Sequence, residues 1–155
     1  MGELSMKING NDWAGVVRTG VYSNRLRTVD DKYKKVEKNL SIPWEIFSLQ
    51  LVDKTINNQR IYMQDSLAYI QPEISKTYVS YGTVQDDGDV VCDLFDVAEA
   101  DSVNNWIQIT KEKNGYKEIW GMFSVTLYRV EGCATSSYPD TLKIRDGNFH
   151  IYFDK

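Results

Sequence analysis

Apolar and polar residues alternate along much of this chain, most regularly between residues 105 and 130. There Ile107 and Ile109 alternate with Trp106, Gln108 and Thr110; further on, Ile119, Phe123, Val125 and Leu127 alternate with Trp120, Met122, Ser124, Thr126 and Tyr128. Successive side chains of a strand point to opposite faces, so the pattern predicts one long β-hairpin with an aliphatic face and a mixed aromatic-polar face. The turn falls at Lys113-Asn114-Gly115, where a three-residue loop with a left-handed glycine and a G1 bulge keeps both apolar sets on one face. It sets Ile109 opposite Ile119, Ile107 opposite Gly121, Gln108 opposite Trp120 and Trp106 opposite Met122. A two-residue Asn-Gly turn would pair Ile109 with Trp120 and mix the faces.

Shorter stretches repeat the pattern. Residues 6–13 predict a strand and an Asn-Gly turn, and residues 15–23 a strand that bends at Gly20. Residues 43–52, 61–63 and 67–70 follow, and 77–84 joins 89–97 through the turn at 85–88 as a second hairpin. The dipeptide Asp146-Gly147 is a type I′ turn signal, predicting a third hairpin from residues 141–145 and 148–153. Leu142, Ile144, Phe149, Ile151 and Phe153 then face inward, and His150 and Tyr152 outward. One helix is predicted near residues 29–39, where Val29, Tyr33, Val36 and Leu40 recur at helical spacing behind a capping-box-like Thr28-Val29-Asp30-Asp31. Its wet face carries Lys32, Lys34, Lys35 and Lys38; an edge strand protected by these lysines is the alternative. Many short strands with at most this one helix predict an all-β fold, an antiparallel two-sheet sandwich with a calycin-like β-barrel as the alternative. The whole of 1–155 reads as a single β-domain.

Charge and composition narrow the functions. With 22 acidic against 18 basic residues, the chain carries no basic footprint for nucleic acid. Its apolar runs fall short of the roughly 18 residues needed to span a bilayer, and MGELSMKING lacks the regions of a signal peptide. Cys92 and Cys133 either bridge, closing a loop whose entropy contributes about 4 kcal/mol, or remain a buried and a loop thiol. No CxxC or Cys/His cluster supports zinc, and the aspartates between residues 86 and 101 do not follow calcium-loop spacing, so no metal or cofactor is expected. His150 is the only histidine and no GxSxG motif accompanies it, so no catalytic residues are assigned.

The aromatic residues of the central hairpin are the candidate binding surface. Trp106, Gln108, Trp120 and Tyr128 share the face opposite the aliphatic one, and flat rings beside hydrogen-bonding groups suit a sugar or a peptide. The same rings could instead be core, covered by other strands.

The succession GDVVCDLFDV, NNWIQIT, GYKEIWGMFSVTLYRV and, after a loop, TLKIRDGNFHIYF resembles an uncharacterised family of small secreted lipoproteins of Bacteroidetes. The resemblance covers roughly residues 85–153 and rests on strand and turn punctuation; Met122 departs from it, standing where a small polar residue is usual. It implies an extracytoplasmic β-domain of the cell envelope, in the periplasm or at the outer membrane, tethered through a lipid anchor absent from this chain. It carries no activity with it. The function expected is therefore a non-catalytic binding or accessory domain for a glycan, a peptide or another envelope protein. The alternative is an enzyme in a barrel or sandwich cleft, which requires a closed cavity lined by buried carboxylates.

Overall fold

The predicted alternation takes shape as ten antiparallel strands in the computed structural model, which describes residues 2–22, 25–35, 41–51, 58–63, 77–84, 91–134 and 136–153. In chain order they are β1 (Gly2–Ile8), β2 (Asn11–Tyr22), β3 (Arg25–Lys35), β4 (Ser41–Leu51), β5 (Arg60–Tyr62), β6 (Tyr78–Val84), β7 (Val91–Val97), β8 (Trp106–Lys113), β9 (Glu118–Glu131) and β10 (Thr141–Tyr152). A short 3-10 segment, Glu99–Asn104, interrupts the chain between β7 and β8. The expected strands at 67–70 and the turn at 85–88 lie outside the described residues.

The all-β antiparallel architecture is present as one curled sheet. From β9 the pairing passes to β10, then β1, β2, β3, β4, β6 and β7, and returns to β9. The ladders thus run in a ring, the barrel-like form, around a single hydrophobic cluster. β7 and β8 lie end to end along one edge of β9, pairing with Leu127–Glu131 and Glu118–Ser124 respectively. The sheet forks at the break between them, since β7 continues to β6 and β8 to β5. Asn105, fully buried, mends the break: its side-chain oxygen accepts from Thr126 N at 2.8 Å and its amide donates to Ala98 O at 2.7 Å. A buried ladder group left unpaired would cost about 1–3 kcal/mol.

Three expectations are corrected. The predicted helix near residues 29–39 is not formed at residues 29–35, which belong to strand β3, paired with β2 on one side and β4 on the other. The spacing of four between Val29 and Tyr33 is a multiple of two as well as near a helical turn, and two flanking ladders decide for the strand. Having partners on both sides, β3 is not an edge strand either. In the central hairpin the turn occupies residues 114–117, and Ile109 pairs with Gly121, Ile107 with Phe123, Gln108 with Met122 and Trp106 with Ser124. A bulge between Ile109 and Lys111 absorbs the difference, and the shift of two positions keeps each of these residues on its predicted face.

The third correction concerns Asp146-Gly147. No hairpin turns there: β10 runs straight through, with Asp146 at φ 53° in a bulge that faces both β1 and β9. Two apolar sets of opposite parity, Leu142 and Ile144 before, Phe149 and Ile151 after, fit a bulge as well as a turn, because an extra residue also flips parity. The Asn9-Gly10 turn, by contrast, is a two-residue loop joining β1 and β2, with φ 49° and 86°.

The bulge serves the core. Gly147 pairs with Phe123, and Phe149 with Gly121, so each glycine lies beneath the ring of the opposite phenylalanine. A Cβ on Gly147 would meet the Phe123 ring at 2.6 Å, and one on Gly121 the Phe149 ring at 2.1 Å. Phe123 stacks in turn on Phe47, with centroids 5.5 Å apart.

Candidate functional site

The outer face of β1, β10, β9 and β8 brings side chains from the two ends of the chain into rows. Register places Glu3 beside His150, His150 beside Trp120, and Trp120 beside Lys111. The next row holds Ser5, Asn148, Met122, Gln108 and Arg60. Between them lies an open groove of about 500 Å³ whose lining includes Glu3, Ser5, Trp120, Met122, Asn148 and His150. Leu4 and Phe149 turn their side chains into the core, so their backbone forms the floor.

The Trp120 ring stands on edge in this row. The His150 imidazole stacks on it, 4.3 Å between centroids and 16° from parallel, and the Lys111 ammonium sits 4.5 Å from its centroid. The two arrive from strands on opposite sides of β9, so both ring faces are occupied. A ligand meets the edge of the indole, not a free face. Among the described residues the Trp120 N–H makes no hydrogen bond. His150 is held by Glu118, with Nε2 and Oε1 2.9 Å apart, and Tyr152 lies against the imidazole at 4.4 Å. The Tyr152 hydroxyl is pushed above its usual range by desolvation and then by the Glu118 carboxylate.

The residues singled out from the sequence do not all converge. Trp120 lines the groove and Gln108 adjoins it through Met122. Trp106 is half-buried one pair further along, with the Arg60 guanidinium 4.1 Å over its ring. Tyr128 is exposed on the same strand but eight residues from Trp120, roughly 27 Å at strand spacing. Glu3, Asn148 and His150 were not assigned from the sequence. The outward parity of His150 was visible there, but nothing local shows that β1 and β10 flank β9.

A second polar cluster lies inside the ring. Glu45 accepts from Trp13 Nε1 at 2.7 Å and from the Tyr138 hydroxyl at 2.6 Å, and Tyr81 donates to the Tyr138 oxygen at 3.3 Å. Burial, then the bond to Glu45, pushes the Tyr138 hydroxyl up to about 12, and burial above all raises Tyr81 further. A raised folded-state value stabilises the protein below the unfolded value of about 10 and loses that contribution as pH rises through the folded one. Absorbance titration at alkaline pH should show Tyr138 and Tyr81 ionising only above the ordinary tyrosine value of about 10, with unfolding accompanying them. Ionisation of every tyrosine near pH 10 in the folded state would contradict this.

Near the return of β7 to β9, Cys92 and Cys133 form a disulfide with Cα atoms 4.9 Å apart. Asp93 beside it is buried, accepts from Thr83 Oγ1 at 2.9 Å and lies 3.6 Å from the Arg129 guanidinium. Arg129 also pairs with Asp140, chiefly through which its guanidinium is held above the ordinary range. Farther along, the Asp101 carboxyl is held below its usual value by hydrogen bonds first from Thr126 and then from Asn104. No group of three or more His, Cys, Asp or Glu placed to hold a metal occurs among the described residues.

The architecture and groove define an antiparallel all-β domain with a mixed aromatic-polar cleft on its outer face. No family model matches this chain, and neither a curated protein nor a solved structure does.

Proposed function

We propose that this chain is a non-catalytic binding domain of the cell envelope that holds a carbohydrate in the outer-face groove, with peptide ligands as the other arm of the test. The carrying observation is the Trp120 edge, its N–H unpaired among the described residues, set in a groove of about 500 Å³ beside Ser5 and Asn148. Small-ligand sites are clefts of about 300–1,000 Å³ with apolar walls and a few polar groups that fix orientation. The side-chain amide of Asn148 donates to Asp146 O at 2.8 Å, which orients its oxygen for a ligand donor. The Cys92–Cys133 bridge supports an oxidising, extracytoplasmic location. The resemblance across residues 85–153 supports a lipid-tethered precursor.

A glycan and peptide panel read by tryptophan fluorescence tests this. Trp120→Ala is expected to retain the far-UV spectrum of the native sheet while weakening glycan binding at least about tenfold, as loss of a central aromatic contact does. A panel in which no glycan binds, or in which Trp120→Ala binds as tightly as the native protein, sinks the proposal. Iodide quenching of a variant retaining only Trp120 should be partial, as its half-burial requires, and relieved by a bound glycan.

A further inference from the structure

We infer that the ligand of this groove is an aminated sugar, its ammonium group held by Glu3 and its hydroxyls by the neighbouring polar side chains; the inference rests on the groove being the binding site. Of the described lining residues only Glu3 and His150 can carry charge. His150 is committed to Glu118 at 2.9 Å, whereas Glu3 is exposed and makes no ion pair or hydrogen bond among the described residues.

Among the described residues, the lysines around the groove are already engaged. Lys7 pairs with Asp146 at 3.2 Å, Lys113 approaches Glu118 at 3.9 Å, and Lys111 lies over the Trp120 ring at 4.5 Å. Each is held outside the cavity lining, which leaves a single unbalanced carboxylate in it. A neutral sugar that covered Glu3 would strip water from a charge and return only hydroxyl hydrogen bonds, with no opposite charge. A cationic one replaces that water with a charge-assisted hydrogen bond. The cavity volume suits a short oligosaccharide, and the hydroxyl of Ser5, the amide of Asn148 and the hydroxyl of Thr110 match a body rich in hydroxyls. Thr110 is kept at the groove by the β8 bulge, where its hydroxyl lies 3.4 Å from Trp120 O.

The test uses a matched pair, glucosamine trimer and its fully N-acetylated counterpart, titrated into the native protein, Glu3→Gln and Glu131→Gln, at a pH where the free amines are protonated. Glu131 is exposed at the far end of β9 and controls for general attraction to an acidic protein. The native protein and Glu131→Gln should prefer the free-amine trimer by at least about tenfold, the worth of one charged hydrogen bond. Glu3→Gln should bind both trimers alike, and added salt should erode the native preference. Equal affinities in the native protein, or an undiminished preference in Glu3→Gln, overturn the inference and leave the groove as a neutral-sugar site. Binding of neither trimer overturns it as well, and if the wider glycan panel is then also silent the binding-domain proposal falls with it. Preference for a lysine peptide over both trimers overturns the sugar and keeps the ammonium.

Discussion

Phe123→Ala is expected to destabilise the fold by about 3–5 kcal/mol, lowering the melting temperature by roughly 10 °C for a chain of this size. Phe123 is 1% exposed, stacks on Phe47 at 5.5 Å and covers the backbone of Gly147 in the β10 bulge. Truncation therefore empties a site walled by sheet on both sides, where collapse is difficult. The pairing with Gly147 gives a sharper version. A methyl on Gly147 would stand 2.6 Å from the Phe123 ring, so Gly147→Ala should cost about 1–3 kcal/mol in the native background. In the Phe123→Ala background the obstructing ring is gone and the same substitution should cost much less. Urea unfolding of the four proteins yields the coupling directly. Additive effects would show that the ring does not lie over the glycine.

Replacing Cys92 and Cys133 with alanine is expected to cost about 4 kcal/mol, the loop-closure value for a bridge spanning 41 residues. The bridge stands where the ring of ladders returns to β9 through the four β7–β9 pairs. Its loss should therefore show first in β7. Hydrogen exchange of the double variant should reveal faster opening of residues 94–97 than of the β9–β10 ladder, while the native protein without reductant protects both. A uniform loss of protection would mean that the bridge acts only on the unfolded chain. Together with the Phe123 series, this separates a core contribution from a closure contribution to the same sheet.

Much of the candidate site was half legible. Parity alone placed Trp106, Gln108, Trp120, Met122 and Tyr128 on one face of β9 and β8, and His150 on the outward face of the last strand. Those placements survive a register two positions from the expected one, because a shift of two leaves faces unchanged. Which of these residues meet was not legible. Trp120 and Tyr128 share a face yet are separated along the strand, while Trp120 and Glu3, 117 positions apart in sequence, line one groove. Pairing between β10 and its two neighbours made that groove, and no local signal reports it.

The sequence by itself determined most of the strands, β8 and β9 above all, since alternation with period two is a property of each segment and needs no partner to be read. It also determined the Asn9-Gly10 turn, whose two residues take the left-handed backbone that a type I′ loop demands. Tertiary structure alone decided the rest. β3 became a strand because ladders form on both its edges, against a helical spacing that was equally compatible with its apolar positions. Asp146-Gly147 became a bulge instead of a turn because β9, 14 residues long, pairs with β10 on both sides of it. The ring of ladders, the stacking of His150 on Trp120 and the unbalanced charge of Glu3 all depend on contacts between distant segments, whose free energy is set by packing across the sheet and is absent from any short window of sequence.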